Sequence, residues 1–519
     1  METGRIRASG KVLVRGLPAA SGHARASDPV RATHHGPKQG EQPRRTGLFP
    51  LQLKPASNAA AAAPAATSSQ QAATTSGTFY QHTLFEGADD IAQGPTPPDT
   101  AVAAGTNDVV EMVNSRLIIT DKTGTVLKTS DLSSFFQAGP TTLSNGSTAN
   151  LSSVSDPKVV YNRFSGHFYA TELIYDSAND SAVKLAVSQT SDPTGAWLIY
   201  TVHPTAGTLL DQPKLGVSLD KIVLTWNKYT GSGSSQSYTG TETYVADQAE
   251  AENYGNSIPL DYALFDDGQN MVFPAVNVDT DPNSPSDAYE AYFHKDFFGF
   301  SYITVNTITG VPGSLPGVSR SSSNDVGIAT TSSPPPASQP NTSLTLDTGD
   351  DRIESASFRG GALWVAANDS CQPSGQPTMS CVRTVLLTNA ASSSPTKAFD
   401  GDFYSGNAAM FYPAITMDDS NDVFLAASAS GPSLYPSLGV FAAQAGGTSI
   451  SGSLVRTGRG PLSCDVCGSA NPIRFGDYSG ISLDGSNANM VWIGGEYGNA
   501  SSTTLSPTWG TAIGEYSYF

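Results

Sequence analysis

The segment YPAITMDDSNDVFLAASA, residues 412–429, joins a short apolar run to a second one that ends in small residues. Its first run alternates as a half-buried strand does, and the turn DDSND between the runs contains residues that tolerate the positive φ of tight hairpins. Pro413 suits the start of a strand, where its missing N–H removes no ladder hydrogen bond. The segment therefore predicts two antiparallel strands joined by a tight turn.

Six other segments repeat this pattern. They are PDTAVAAGTNDVVEMVN (98–114), DPKVVYNRFSGHFYATEL (156–173), QPKLGVSLDKIVLTWNKY (212–229), FPAVNVDTDPNSPSDAYEAYF (273–293), ESASFRGGALWVAAND (354–369) and DYSGISLDGSNANMVWIGGEY (477–497). Their heads align at Pro98, Pro157, Pro213, Pro274, Ser355, Pro413 and Ser479. The copies recur about every 60 residues, which leaves chain for two more strands in each.

A four-stranded antiparallel blade is the simplest unit that fits this repeat, and seven such blades close into a ring. We therefore predict an all-β protein with a single seven-bladed β-propeller over residues 76–519. Six or eight blades, and a right-handed parallel β-helix, are the alternatives. Thr78–Phe85 and Thr511–Phe519 both alternate polar and apolar residues. We expect these two chain ends to pair in one blade, because that removes the open edges of the ring.

The first 75 residues differ in composition from the rest. Residues 1–54 contain ten Lys or Arg against three Asp or Glu, and residues 56–77 are mostly Ala, Ser, Thr and Gln. So few large apolar side chains cannot offset the entropy of ordering the chain. We predict a disordered basic leader and linker over residues 1–75. Arg15 and Pro18 interrupt its apolar stretch, which therefore lacks the form of a secretory signal.

The composition of the whole chain indicates an extracellular protein. Its 50 Gly and 34 Pro supply turn residues, and charged residues are only 14%. No window approaches the roughly 20 apolar residues of a membrane span. The net charge of −18 makes nucleic acid a poor partner. We predict a secreted or cell-surface protein; the sequence does not indicate an oligomeric state.

Four cysteines form two local pairs, Cys371 with Cys381 and Cys464 with Cys467. The first pair brackets a polar loop that a disulfide would hold closed. The second is a CxxC without the βαβ context of redox motifs. We predict two structural disulfides, with a redox role and a four-Cys zinc site as the alternatives.

The acidic segment DTDPNSPSDAYE, residues 279–290, is the best local match to a metal site. Oxygen-bearing side chains occupy positions 1, 3, 5, 9 and 12 of a calcium loop, namely Asp279, Asp281, Asn283, Asp287 and Glu290. Ser284 stands where an EF-hand has Gly, and predicted strands flank the segment. We predict a structural Ca²⁺ ion here, the alternative being an acidic hairpin whose polar residues serve only the turn.

Charged and aromatic residues recur near the starts of the predicted units, where a propeller forms its central funnel. The sequence has no HExxH, GxSxG, Walker or dinucleotide motif. A pair of carboxylates can act as acid and base on a glycosidic bond, and Arg can hold a substrate carboxylate. The candidates for such a site are Asp477, Glu496, Tyr478, Arg474 and Arg352. The alternative is that residues at these places tie neighbouring blades together; it applies equally to Asp99, Asp156, Glu354, Tyr412 and Tyr497.

Several segments of the chain resemble a group of secreted bacterial proteins identified as sialidase-like β-propellers. These segments are PPDTAVAAG (97–105), VSDPKVVYNRFSGHFYA (154–170), SQTSDPTGAW (188–197), DQPKLGV (211–217), RFGDYSGISLDG (474–485), VWIGGEYG (491–498) and WGTAIGEYSYF (509–519). The likeness covers residues 80–519 and implies a fold and export, but no activity. The segment at Ser482 departs from the Ser-x-Asp-x-Gly-x-Thr-Trp box of sialidases, and their Arg-Ile-Pro motif is absent.

From these features we expect a secreted or cell-surface propeller that binds a glycan or protein ligand through its loops. The alternative function is a polysaccharide-active glycoside hydrolase or lyase with carboxylate, Tyr and Arg side chains in the funnel.

Overall fold

The structure is a computed structural model that describes most of the chain after residue 96. The described residues are 1–20, 48–50, 53–55, 57–58, 78–89, 97–231, 235–253, 259–279, 286–445, 450–462, 471–499 and 508–519. Within them the regular structure is almost entirely β. The helical segments of these ranges are single turns: α1 Leu132–Phe135, α2 Gln248–Glu252 and a 3-10 turn at Val14–Gly16.

Short strands occur in the leader and are followed by one long strand. They are β1 Glu2–Ile6, β2 Gly10–Leu13, β3 Leu48–Pro50, β4 Leu53–Pro55, β5 Ser57–Asn58 and β6 Phe79–Asp89. The strands β1 and β2 pair with the outer edges of two sheets, so these leader residues are strands where the sequence predicts disorder. The physical reason is that an unpaired sheet edge offers backbone partners that composition does not reveal. The division of the chain at residue 75 stays a prediction.

The body of the chain forms antiparallel strands in succession. The first sheet holds β7 Ala101–Ala104, β8 Asp108–Val113, β9 Arg116–Asp121 and β10 Val126–Asp131. A hairpin of β11 Gly139–Thr142 and β12 Thr148–Leu151 follows. The second sheet holds β13 Ser153–Asn162, β14 His167–Tyr175, β15 Ser181–Ser188 and β16 Ala196–Thr205, with β2 added at its outer edge.

The strands that follow form two antiparallel runs of four, with a smaller sheet between them along the chain. The first run is β17 Thr208–Val217, β18 Lys221–Thr230, β19 Ser237–Asp247 and β20 Leu260–Gly268. The smaller sheet holds β21 Phe273–Pro274, β23 Ala288–Lys295, β24 Ser301–Thr309, β25 Ser319–Ser322 and β26 Val326–Gly327. The second run is β27 Ile353–Arg359, β28 Ala362–Cys371, β29 Met379–Thr388 and β30 Thr396–Tyr404. The two-residue strand β22 Val276–Asn277 joins the runs into one eleven-stranded sheet.

Two sheets complete the chain. One holds β31 Ala409–Met417, β32 Val423–Gly431, β33 Leu434–Ala443 and β34 Ile450–Arg456, with β4 at its edge. The last holds β35 Gly480–Leu483, β36 Val491–Asn499 and β37 Thr508–Tyr518, and takes β6 as its fourth strand. The pairing of β37 with β6 confirms that the two chain ends meet in one sheet.

The sheets are arranged as a β-propeller, and five of them are separate blades of four or five strands. The first strands of successive units contact one another in a closed circle. This circle runs β7, β13, β17, β21, β27, β31, β35 and back to β7. The all-β class and the propeller arrangement predicted from the repeat are confirmed.

Several first strands carry the same backbone irregularity near their start. Asp156, Gln212 and Tyr412 each precede a proline and each have φ between 50° and 61°, and the strand register shifts at all three. Asp99 has φ 52° and takes the same place in the first unit. The first repeat therefore aligns through Thr100, two residues beyond the Pro98 chosen from sequence. A non-glycine residue in this region is held there by its surroundings.

A disulfide closes the loop between β28 and β29. Cys371 and Cys381 are bonded, with their Cα atoms 5.9 Å apart, as the sequence predicts. The second predicted pair, Cys464 with Cys467, lies outside the described residues.

Replacing both bonded cysteines, in Cys371→Ser/Cys381→Ser, is expected to lower the free energy of unfolding by about 2–3 kcal/mol, the chain-entropy value for so short a loop. Urea denaturation of the oxidised proteins measures the change. Reductant should lower the stability of the wild type more than that of the double variant, because only the wild type has this bond to lose. Equal unfolding midpoints for both oxidised proteins would contradict this prediction.

Candidate functional site

The first strands surround a cavity of about 110 Å³ at the centre of the ring. Its wall is made by side chains of the first two and last four units, with one residue from the third. The lining residues are Thr100–Val102, Lys158–Phe164, Leu215, Phe273, Val276–Asp279, Glu354–Ser357, Pro413–Thr416 and Tyr478–Leu483. Lys158 on β13, Glu354 on β27 and Tyr478 just before β35 bring an amine, a carboxyl group and a phenol to this lining from three different units.

Lys158 reaches the cavity directly after the irregular residues Asp156 and Pro157. Its Nζ lies over the ring of Tyr478, 2.7 Å from the ring centroid. Such a contact attracts a cation to the electron-rich ring face. Burial lowers the pKa of Lys158 to about 7, although the nearby carboxylates of Glu354 and Asp156 favour the charged amine. Near neutral pH the amine therefore exists in both protonation states.

Glu354 is the carboxyl group with the largest electrostatic effect on the Lys158 amine. Burial raises its pKa to about 8, against the opposing effect of the cations Arg352 and Lys214. Lys214 is buried as well, and burial lowers its pKa to about 8. Glu354 is thus mainly protonated at neutral pH and can donate a hydrogen bond. The lining of the cavity thus holds one amine, Lys158, and one neutral acid, while Lys214 directly precedes the lining residue Leu215.

Four of the five predicted catalytic residues lie together in the last unit. Arg474 forms an ion pair with Asp477, with Nη2 and Oδ2 2.6 Å apart. Glu496, on β36, accepts a hydrogen bond of 2.7 Å from the backbone N–H of Gly476. Tyr478 follows Asp477 in the sequence and lines the cavity. Asp477 and Glu496 are both buried and both engaged in holding this turn.

Arg352, the fifth candidate, lies in the fifth unit, directly before β27. Its Nε is 2.6 Å from Oδ1 of Asp350, and its Nη1 donates to Oε1 of Gln212 at 2.9 Å. The pKa of Tyr412 is raised mainly by burial, and the negative charges of Asp477 and Glu354 also raise it. Tyr412 therefore lies near the cluster of Asp477 and near that of Arg352 and Glu354. The predicted residues therefore form two separate clusters, with Tyr412 between them.

Asp99 and Asp156 link neighbouring units by hydrogen bonds. Asp99 accepts from the backbone N–H of Asp477 at 2.6 Å and from Nδ2 of Asn114 at 2.6 Å. The Oδ1 atom of Asn114 accepts from the backbone N–H of Asp156 at 2.8 Å. Asp156 in turn accepts from the backbone N–H of Gln212 at 3.3 Å. These contacts run from the last unit through the first and second to the third, and they hold the strained starts of the strands.

Lys158 and Lys214 are the site residues that the sequence analysis misses. Each follows proline in its repeat, as DPK at 156–158 and QPK at 212–214. In the other units the equivalent position of the first strand carries a small residue. A lysine at this position is the signal that could have identified Lys158 and Lys214. Lysine is rarely fully buried, so its presence at such a position indicates a special environment.

The structure does not bring the predicted calcium ligands together within the residues it describes. Asp281 and Asn283 lie outside them. Asp279 lines the cavity, and its backbone N–H donates to Oδ1 of Asn277 at 2.9 Å. Asp287 lies near Lys221, and burial raises its pKa. In the described ranges no group of three or more His, Cys, Asp or Glu could hold a metal ion.

Glu290, the last predicted calcium ligand, is buried inside its sheet. Its Oε2 accepts from Oγ1 of Thr243 at 3.1 Å and lies 3.7 Å from Nη1 of Arg320. Burial and the neighbouring Asp267 together raise the pKa of Glu290 to about 8, against the opposing effect of Arg320. This carboxyl therefore has partners in the neighbouring unit.

The raised pKa of Glu290 predicts a pH effect on stability. The folded protein keeps a proton that the unfolded chain has released, so the wild type should lose stability as pH rises from about 4.5 to about 8. Glu290→Gln imitates the protonated acid and lacks this loss. Relative to wild type, its free energy of unfolding should rise by up to ~1.4 kcal/mol per pH unit over that range. Urea titrations at pH 5 and pH 8 test this; a constant difference between the two proteins would contradict it.

Comparisons with known proteins give the following results. No protein-family model matches the chain, and no curated protein matches it. Among solved structures, the Hadza microbial sialidase Hz136 is similar over 78% of this chain and 73% of its own, with 11% identity and a TM-score of 0.38. Trypanosoma rangeli sialidase is similar over 72% of this chain and 57% of its own, with 10% identity and a TM-score of 0.39.

A third similar structure is the α-L-arabinofuranosidase Arb93A from Fusarium graminearum, solved with an iminosugar inhibitor. It is similar over 80% of this chain and 93% of its own, with 10% identity and a TM-score of 0.37. Likenesses as distant as these three assign no activity or substrate to this chain.

In the part of the chain that the structure describes, no helix is long and apolar enough to cross a membrane.

Proposed function

We propose that the protein is a secreted or cell-surface propeller that binds a glycan at the mouth of its central cavity. The observation that carries the proposal is that Lys158, Glu354 and Tyr478, from three different units, line the same cavity. Ligand sites are typically concave and combine apolar walls with a few convergent polar groups. An amine and an acid bind sugar hydroxyls by hydrogen bonds, and an aromatic ring packs on the apolar face of a sugar.

The proposal includes a ring of seven blades. Each of the two runs in the eleven-stranded sheet then counts as one blade. The closed circle of seven first strands supports this count, and so does the presence of four antiparallel strands in every unit.

A second candidate function is hydrolysis or elimination on a polysaccharide. The observation in its favour is the pairing of a protonated acid, Glu354, with an amine, Lys158, whose pKa is about 7. A general acid must hold its proton at the working pH and a general base must be free of it. Both conditions are met near neutral pH in the same cavity.

One experiment separates these functions. The full chain is titrated by calorimetry with arabinan, xylan and polygalacturonate, and the same mixtures are analysed for released sugars. Binding without product supports a binding module. Product release that stops in Glu354→Gln supports the enzyme. Absence of binding to every glycan would overturn the proposed function and direct the search to a protein ligand.

The predicted calcium ion is part of the proposal as a structural element. It rests on Asp279, Asp281, Asn283 and Asp287, because Glu290 has other partners. Calcium at 100 times its Kd would add about 2.7 kcal/mol to the free energy of unfolding. We expect the melting temperature to rise in CaCl₂ relative to EDTA, and Asp279→Asn to remove the rise. Identical melting in both buffers would exclude the ion.

A further inference from the structure

The turn between β23 and β24 exposes three phenylalanine rings. The exposed fractions are 98% for Phe297, 79% for Phe298 and 52% for Phe300. The turn is held by Asp296, whose Oδ1 accepts from the backbone N–H groups of Phe298 and Phe300, both at 2.9 Å. Its backbone N–H donates to the carbonyl of Phe300 at 3.0 Å, and Gly299 supplies the positive φ, 82°. The rings are therefore presented on an ordered turn.

This turn lies on the face of the propeller at which the first strands start, and the cavity residue Glu354, the second residue of β27, lies near that face. The strand β23 runs antiparallel to β21, so its end returns to the side where β21 starts. Lys295, the last residue of β23, has its Nζ 3.8 Å from Oδ2 of Asp351. Asp351 immediately precedes Arg352 and lies three residues before Glu354 in the sequence. The turn thus adjoins the segment that leads into Glu354, which lines the cavity.

The surroundings of the turn are polar and acidic. Tyr302 donates its hydroxyl to Oδ2 of Asp296 at 3.3 Å, and Nε2 of His294 lies 3.2 Å from Oδ1 of Asp325. The rings of His294 and Tyr302 are stacked, with centroids 5.6 Å apart. Half-buried aromatic rings therefore lead away from the exposed ones, with carboxylates beside them that can accept hydrogen bonds from hydroxyls.

Charge and area argue against two other occupants of this surface. The carboxylates of Asp296, Asp325 and Asp351 and the net charge of −18 repel an anionic lipid surface. The side chains of Phe297 and Phe298 offer at most ~500 Å² to a partner, so two copies would bury at most ~1,000 Å² through them. A stable dimer needs roughly 1,200 Å² or more.

We propose that Phe297 and Phe298 form an outer subsite that packs against sugar rings of a polysaccharide while one end or branch of that chain occupies the central cavity. This inference rests on the proposed function and deepens it: the ligand is a chain of several sugars, longer than the cavity can hold. Alternating apolar ring faces and hydroxyls fit a surface of exposed rings bordered by carboxylates.

The test compares Phe297→Ser/Phe298→Ser with wild type on long and two-residue forms of arabinan, xylan and polygalacturonate. Two aromatic contacts are worth about 1–3 kcal/mol together. We expect the Kd for the long chain to rise about 5- to 100-fold in the double variant, and the Kd for the two-residue sugar to stay unchanged. The matched control is Leu315→Ser. Leu315 is also 98% exposed but follows β24 at its other end, on the opposite face of the propeller.

Four outcomes would overturn the subsite. The first is that the double variant binds the long chain with an unchanged Kd whereas Lys158→Met binds it more weakly. This result would overturn the subsite but would leave the proposed function in place. Absence of wild-type binding to every glycan would overturn both proposals. The third is a wild-type dimer, seen by sedimentation, that dissociates in the double variant and so assigns the rings to a second copy. The fourth is binding to phosphatidylcholine vesicles that the double variant loses, which assigns them to a membrane.

Discussion

Deleting residues 511–519 is expected to abolish cooperative folding of the propeller. These residues form most of β37, which pairs with β36 on one side and with β6 on the other. The deletion removes the buried side chains of Ile513, Tyr516 and Tyr518. It also leaves the ring of Phe79 without two aromatic neighbours, which lie 6.4 and 5.0 Å away between centroids.

The expected size of this loss follows from the buried side chains. Truncating one buried aromatic residue costs about 3–5 kcal/mol, and whole proteins are stable by only about 5–15 kcal/mol. Calorimetry and near-ultraviolet circular dichroism should therefore show no cooperative melt. The control is Phe519→Ser, whose ring is exposed and whose loss should cost less than about 0.5 kcal/mol. A truncated chain that melts cooperatively near the wild-type temperature would show that the ring does not depend on this closure.

Lys158→Met is expected to weaken glycan binding about 10- to 100-fold, because a hydrogen bond from a charged group is worth about 1.5–3 kcal/mol. The pKa of Lys158 is about 7, so its charged form disappears as pH rises through that value. Wild-type affinity should therefore fall between pH 6 and pH 9, while the affinity of Lys158→Met should depend less on pH. Calorimetric titrations at both pH values provide the measurement.

The matched control for this variant is Lys184→Met. Lys184 lies in the same sheet, on β15, and is also buried, but its Nζ donates to Oγ1 of Thr201 at 2.8 Å and does not line the cavity. Its replacement should leave the Kd unchanged. Equal losses of affinity in the two variants would mean that the effect comes from the sheet as a whole, and would remove Lys158 from the site.

The architecture was predictable because its signals are local. Strand alternation and polar turns recur along the units, and several of the units have Pro at the strand start. The two alternating chain ends pair with each other. The strands β1 and β2 were not predictable from composition, because they form on edges supplied by residues far away in the sequence.

The site was only partly predictable, because burial decides its chemistry. Tyr478 was identified at a strand start, whereas the role of Lys158 depends on its contact with the Tyr478 ring and on its burial near Glu354. Glu290 shows the converse. Its spacing from Asp279 suits a calcium loop, but the alternation of β23 directs it toward Thr243 and Arg320 inside the propeller. Loop spacing and strand alternation compete there, and the strand prevails.

The irregular strand starts have a consequence for how this propeller could change its specificity. The residue two places after an irregular position is Ala101 in the first unit, Lys158 in the second, Lys214 in the third and Ala414 in the sixth, and all of these except Lys214 line the cavity. The small residues Ala101 and Ala414 leave room there for the long side chain of Lys158. A single exchange, such as Ala414→Lys with Lys158→Ala, would rotate the functional group around the axis. The position of the functional side chain could therefore change while the backbone of the propeller stays the same.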